Sequence, residues 1–345
     1  MSLGVAVVGA GVVGSRRAAC AAAVSRLEAI VDVNENRASQ LASRFRCRYS
    51  TRWQDVIADP TVDVVVVSTT NQYLAPIAIA ALNAGKHVLC EKPMGRNLRE
   101  ASEIGSAARA SGCLFKLGFT LRFHPAIRRA HELCATGHLG QLFFIHAMYG
   151  HGGRPGYESE WRGNVEQAGG GELLDQGVHL LDLARWFLGE VDVVSALTPR
   201  WYWSVDPLED NAFVLLRGDR GQVASLHASW TVWKNRFLFE VVGRDGYARV
   251  EGLGGTYGLE SLAVGRRNSR GGPPEEVVTT YDETDRAWEA DWRDLVESIE
   301  EGRNPEVGES DGLAVMKLVD SVYAYRRTGD ASAPSRPTGH LAREL

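Results

Sequence analysis

Along the first third of the chain, short runs of β-branched and apolar residues alternate with segments whose apolar positions recur at helical spacing. The runs "GVAVVG", "LEAIVDV", "VDVVVVST", "HVLC" and "LFKLGFT" predict strands buried on both faces. Between them, "VVGSRRAACAAA", "ENRASQLASRF", "PIAIAALNAG" and "LREASEIGSAARASG" predict helices. Two of these close on Gly85 and Gly112, glycine being the residue that most easily adopts a left-handed cap. Alternation of this kind builds a doubly wound parallel sheet, so residues 1–122 are expected to form an α/β domain.

After "GFTLRFHP" the pattern changes. A helix near residues 125–136 leads into "QLFFIHAMYGH", a helix with a polar stripe in "GGGELLDQGVHLLDLARW", and then longer strand-like runs. These runs are "VDVVSALTP", "NAFVLLRG", "GQVASLHASWTVW", "FLFEVVGRD" and "YARVEG". Strands that follow one another without helices imply antiparallel pairing. Residues 123–327 are therefore expected as an α+β domain with a large, mainly antiparallel open sheet, closed by helices near 286–301 and 311–327. The Pro, Gly and Ser content of residues 328–345 predicts a flexible tail. "EGLGGTYG" and "GRRNSRGGPPEE" are read as a turn and a surface loop.

Composition agrees with two ordinary globular domains: 345 residues, 44% hydrophobic and 23% charged. A net charge of -5 with no long Lys/Arg run gives no electrostatic reason to bind nucleic acid. The five cysteines are scattered without a CxxC pair, which argues against a disulfide framework or a zinc cluster. No run approaches the roughly 18 apolar residues of a membrane span, and the apolar start lacks the charged region of a signal peptide. A soluble, cytoplasmic protein is expected.

Candidate chemistry begins at Gly9, Gly11 and Gly14, which stand in GxGxxG spacing between a predicted strand and a predicted helix. Such a turn allows close backbone approach, and the helix start then offers N–H groups and dipole to a pyrophosphate. Asp32 ends the second strand, where a carboxylate accepts the adenosine ribose hydroxyls and repels a 2′-phosphate. A Rossmann domain binding NAD, rather than NADP, follows. Further on, "GKHVLCEKP" puts Glu91, Lys92 and Pro93 just beyond a buried strand, at the sheet edge where ligands sit. On a helix of about 100° per residue, Asp175, His179, Asp182 and Trp186 share one stripe. In isolation, such a stripe is more often solvated surface than a catalytic face.

Taken in order, GxGxxG, Asp32, "STTN", "AGKHVLCEKP", "GFTLRF" and "EWR…GGGELLDQGVHLLDLARW" resemble the Gfo/Idh/MocA family of NAD(P)-dependent sugar and polyol oxidoreductases. The resemblance runs from residue 1 to about 330. It implies that Lys92, Asp175 and His179 are catalytic, and that Asp182, Arg185 and Trp186 extend the same helix. It also implies a cofactor shell of Gly9, Gly11, Val12, Val13, Gly14, Asp32, Ser68, Thr69, Thr70, Asn71, Glu91, Lys92, Arg122, Trp161 and Arg162. Thr120 and Leu74 depart from the family, which often has asparagine and histidine there.

The residues support oxidation of a secondary alcohol, with His179 as general base, Asp175 as its partner or on the neighbouring hydroxyl, and Lys92 on the reacting hydroxyl. No metal is expected, because no second histidine lies at ligand spacing from His179. In "GHGGRPGYESEWR", Arg154, Tyr157 and Arg162 offer charge and ring surface. With Lys92, Asp175 and His179, Arg154 and Tyr157 are the expected substrate contacts. They point to a nucleotide-linked or phosphorylated sugar, the alternatives being a free polyol of inositol type or an NAD-dependent glycosidase working by transient oxidation. Aromatic residues in "SLHASWTVWKNRFLFEVV" predict an exposed sheet face and a homodimer or homotetramer.

Overall fold

The computed structural model describes residues 3–282 and 286–329. Strands β1 (Gly4–Val8), β2 (Arg26–Val31), β3 (Arg48–Ser50), β4 (Val64–Val67), β5 (His87–Glu91) and β6 (Phe115–Gly118) form a six-stranded sheet in the order β3-β2-β1-β4-β5-β6. Every pairing in it is parallel. The order reverses between β1 and β4, which opens a crevice beyond their carboxyl ends. Four consecutive buried valines make up β4, the pattern of a strand covered by helices on both faces.

The second sheet comprises β7 (Leu142–Gly150), β8 (Val191–Leu197), β9 (Asn211–Gly218), β10 (Val223–Ser229), β11 (Arg236–Gly243), β12 (Gly246–Glu251), β13 (Glu260–Arg266) and β14 (Glu275–Tyr281). They run in the order β14-β13-β12-β11-β7-β10-β9-β8. All neighbours are antiparallel except β7 and β10. Ala212, Val214 and Leu216 of β9 point inward, while Leu215 and Arg217 stay exposed, so one face is core and the other is open. The α/β plus α+β class expected from the sequence is what folds.

Several elements carried no readable pattern. β3 has three residues, too few for a period, and the short helix Trp53–Ile57 follows it closely. β14 is exposed along nearly all its length and so lacks the alternation that marks a half-buried strand. The expected surface loop at 265–276 therefore shrinks to the hairpin connection between β13 and β14.

Two helices of the expected second domain pack against the first sheet. Helix Arg286–Glu301, expected with the second domain, buries Trp292 and Leu295 against Val5, Val7, Val64 and Leu89 of the parallel sheet. Its Asp291 and Asp294 pair with Lys116 of β6. The last helix, Glu309–Gly329, also returns, with Gly312 close to Met94 and Leu117. The tail expected from residue 328 lies, from residue 330 on, outside the described residues. Among the described residues, no helix is long and apolar enough to cross a membrane.

Candidate active site

The glycine turn at the end of β1 is shaped by two demands of different origin. Gly9 has φ +101°, and a Cβ at Gly14 would lie 1.7 Å from the Gly9 carbonyl oxygen, so the chain's own packing requires both. At Gly11 a Cβ would meet nothing within 4 Å. The space beside it is open to a ligand. Helix Val12–Val24 begins there with no side-chain cap and no acid in its first turn, leaving its N–H groups and dipole for an anion. Val12 is 79% exposed on this lip, and Val13 is half-buried.

Asp32 bridges the turn to the next strand. Its carboxylate accepts hydrogen bonds from the Ala10 and Asn34 N–H groups, both at 2.8 Å. Each oxygen keeps a lone pair for a ribose hydroxyl. Ser68 Oγ donates to the Val8 and Gly9 carbonyls at 3.1 and 3.0 Å, bracing the turn from behind. Thr69 Oγ1 donates to the Thr70 carbonyl, and Thr70 precedes helix Asn71–Asn83. Asn71 is buried and donates to the Ala168 carbonyl at 2.8 Å, which ties this edge to the polypeptide ahead of the helix that carries Asp175 and His179. An open cradle, an uncapped helix start and a fixed carboxylate fit NAD.

Across the crevice, "GGGELLDQGVHLLDLARW" is not one regular helix. A π-helical turn, Leu173–Gly177, precedes the α-helix Val178–Leu188. Such turns widen a helix locally and gather at functional sites. Lys92 Nζ reaches the Asp175 backbone carbonyl at 2.5 Å and its carboxylate Oδ1 at 2.8 Å. Arg162 Nε donates to Asp175 Oδ2 at 2.9 Å while its guanidinium lies 4.4 Å from the Trp161 ring centre. Burial alone would raise the Asp175 pKa, but the Lys92 and Arg162 charges pull it far below the usual carboxylate range.

His179 sits one turn on, buried between Phe119 and Tyr149 with ring centres 5.8 and 6.0 Å away. Burial first, and the Lys92 charge second, push its pKa well below the ordinary value. The imidazole is therefore neutral at physiological pH and able to accept a proton. Its Nδ1 is buried with no hydrogen-bond partner among the described residues.

The deeper end of the stripe is structural. Asp182 takes Arg122 in a two-pronged pair at 2.9 and 2.5 Å, and Arg122 also reaches Asp311 at 2.9 Å. Trp186 stacks on His131 with ring centres 3.7 Å apart. Arg122, expected in the cofactor shell, is thus a buried strut whose guanidinium is taken by carboxylates. Glu91, expected there as well, turns beneath the sheet to Arg17 at 2.6 Å. The Lys92–Pro93 peptide bond is cis.

Of the expected substrate contacts, Tyr157 is buried in an aromatic cluster with Trp203 and Trp230. Arg154 is exposed but paired with Glu160 at 2.7 Å. Tyr157 nevertheless lies near enough to feel the Asp175 and Arg162 charges. Two residues that the sequence did not single out stand there as well: His151 and Glu172 bring ligand atoms within 4.8 Å of each other and of an Asp175 oxygen. Glu172 lies three residues before Asp175, on the same side of a helix, and that spacing could have revealed it. Burial, then the nearby Asp175 charge, raises its pKa well above the ordinary carboxylate value. The cluster has metal-ligand spacing, yet both Asp175 oxygens already face cations at 2.8 and 2.9 Å, where a divalent ion would be repelled.

Comparison with known proteins agrees with this geometry. Residues 3–119 match the family model of the oxidoreductase family with an NAD-binding Rossmann fold, and residues 127–249 match the GFO/IDH/MocA C-terminal domain. Levoglucosan dehydrogenase of Pseudarthrobacter phenanthrenivorans is 29% identical over 244 residues, 63% of this chain and 63% of that protein. A 1,5-anhydro-D-fructose reductase of Ensifer adhaerens is 34% identical over 197 residues, 56% of this chain and 58% of that one. The matched stretch thus spans less than two thirds of either curated relative. Among solved structures, GenD2 from gentamicin A biosynthesis, in complex with NAD, superimposes with a TM-score of 0.82 at 28% identity, covering 95% of both chains. With both of its sheets and its glycine turn accounted for, the chain belongs to the GFO/IDH/MocA oxidoreductase family.

Proposed function

We propose that the protein is an NAD-dependent dehydrogenase that moves a hydride between nicotinamide and a secondary alcohol or ketone of a neutral sugar or cyclic polyol. The observation that carries this reading is the Lys92–Asp175 pair beside a buried, neutral His179 at the carboxyl edge of the parallel sheet. An ammonium has three donors, and Asp175 takes two from Lys92. The third is left for the substrate hydroxyl, whose developing negative charge Lys92 then stabilises. His179 accepts the hydroxyl proton as the carbon gives up its hydride. Asp175 fixes Lys92 and Arg162 in place. Asp32 would hold the ribose of NAD and the glycine turn its pyrophosphate, and the cofactor so bound would supply the hydride acceptor. Ketone reduction uses the same groups in reverse.

Two substrate classes were open from the sequence, and the neutral one is favoured. Arg154, the cation suited to a phosphate, is already neutralised by Glu160. Levoglucosan dehydrogenase and 1,5-anhydro-D-fructose reductase, similar over part of their lengths, are named for uncharged sugars. The purified protein with NAD should form NADH with levoglucosan, xylose, glucose or inositol and not with UDP-glucose or glucose 6-phosphate. Lys92→Ala and His179→Ala should each lower kcat/KM by about 10²- to 10⁴-fold while calorimetric NAD affinity is retained. Turnover confined to the charged sugars, or full activity in both variants, overturns the reading.

We also propose a homodimer or homotetramer formed through the open sheet. The aromatic run that suggested it is mostly internal: Trp230, Phe237 and Phe239 are buried. The apolar surface comes instead from Phe144, Val223, Leu215 and Leu197, exposed across β7, β10, β9 and β8. A monomer by light scattering at micromolar concentration would contradict this.

A further inference from the structure

A second aromatic site adjoins the catalytic cluster. A groove of about 630 Å³ lies between the loop from Gly152 to Glu158 and the rings of Tyr202, Trp203 and Trp233. Its volume is in the range of small-molecule sites, about 300–1,000 Å³. Trp233 and Tyr202 are 66% and 62% exposed, in edge-to-face contact at 4.9 Å. Large rings are rarely left in water without a reason.

The wall that carries Tyr202 and Trp203 is held in advance of any ligand. Asp210 is fully buried and accepts hydrogen bonds from three successive backbone N–H groups, those of Trp201, Tyr202 and Trp203, at 2.8 to 3.1 Å. Trp203 Nε1 donates to the Trp230 carbonyl at 2.9 Å, which fixes the inner wall. Little backbone ordering is left to oppose binding on that wall.

The groove lies next to the chemistry. Gly153 N–H, in its wall, donates to His151 Nδ1 at 2.9 Å, and a nitrogen of His151 lies within 4.8 Å of Asp175. Tyr157, packed on His151 at 5.8 Å and on Trp203 at 5.5 Å, forms the partition between the two spaces. The charge pattern disfavours a phosphate: Arg154 is paired with Glu160, and Glu158 adds a negative charge. Exposed ring faces with Asn235 and backbone amides at the rim suit a neutral, hydroxylated ring that stacks through its C–H face.

We propose that this groove is a second sugar subsite, which holds the neighbouring ring of a glycoside whose first ring is oxidised at Lys92 and His179. The assignment rests on the dehydrogenase reading for the first ring, but binding in the groove is measurable without turnover. Tryptophan fluorescence of the holoenzyme with NAD would be titrated with cellobiose, maltose, sucrose and trehalose, and in parallel with glucose and p-nitrophenyl glucoside. At least one disaccharide should bind about tenfold tighter than glucose, and Trp233→Ala or Tyr202→Ala should remove that advantage. Trp233→Phe should restore most of it, which separates stacking from misfolding. In kinetics the alanine variants should raise KM for the disaccharide and leave glucose turnover within about twofold. Equal loss on glucose and disaccharide, no disaccharide preference, a preference for the aryl glucoside alone, or a changed molecular mass in Trp233→Ala would each overturn the subsite. Failure of NADH formation with disaccharide binding intact would overturn only the dehydrogenase reading.

Discussion

Two clusters of alternating charge lie one residue apart in sequence and serve opposite ends. In the first, Lys92 and Arg162 flank Asp175 in a cleft with side chains 14 to 31% exposed. In the second, Arg17, Glu91, Asp291 and Lys116 sit beneath the parallel sheet, and Arg17, Lys116 and Asp291 have no exposure at all. Glu91 and Lys92 are neighbours at the end of β5, where successive side chains leave on opposite sides. One goes down to brace helix Val12–Val24, and the other goes up to Asp175 in the cleft. Ion pairing by itself therefore says nothing about function. Unpartnered buried atoms occur in both, Arg17 Nη2 in the scaffold as well as His179 Nδ1 and Glu172 Oε2 in the cleft; what distinguishes the cleft is that its charged side chains stay partly exposed and that Lys92 keeps a free donor.

Asp291→Asn should produce the largest effect on stability. It deprives Arg17 and Lys116 of a shared partner in a fully buried setting, and urea unfolding should show a loss of about 3 kcal/mol. The kcat of whatever remains folded should be close to normal. Asp175→Asn should do the reverse, with kcat/KM down about 10²-fold and a much smaller change in the unfolding midpoint. If Asp291→Asn lowered kcat in the folded protein, or Asp175→Asn mainly unfolded it, the division between scaffold and chemistry would collapse.

The smallest effect is in pH. His179 has a depressed pKa in the fold, so below about pH 6.5 the unfolded chain takes a proton that the native ring refuses. Stability from this group falls as pH drops, by up to about 1.4 kcal/mol per unit. Glu172, whose pKa is raised, acts in the opposite direction over part of that window, and Asp175 loses its contribution only below the unfolded carboxylate range. Urea midpoints at pH 7, 6 and 5 should therefore slope less in His179→Gln than in the wild type. Identical slopes would show that the ring is not held neutral.

Patterns with a strong physical cause were readable in the chain. The glycine turn followed from its spacing, and β4 from four successive valines. The stripe at Asp175 and His179 was visible, though its dull alternative, a wetted helix face, is excluded only because Asp182 and His179 are buried. Direction was what sequence lacked. Nothing in "EKP" distinguishes a glutamate turned beneath the sheet from one in the cofactor shell, and nothing in "GFTLRF" shows that Arg122 ends in two carboxylates from distant helices. His151 was unreadable because its importance comes from a loop folded back on Asp175. The aromatic run near β10 and β11 misled for the same reason: side-chain facing was inferred from composition, and register decides it.

Helix Arg286–Glu301 has a consequence for how the molecule is made. Lys116 has both of its carboxylate partners on that helix, and Arg17 has one of its two there. A nascent chain leaving the ribosome presents all six parallel strands long before those partners exist. The amino-terminal half must then wait, with two cations facing an unfinished core, until synthesis has passed residue 301. An isolated fragment ending near residue 122 should accordingly be a poor folder, although it contains the entire glycine turn and every strand of its sheet.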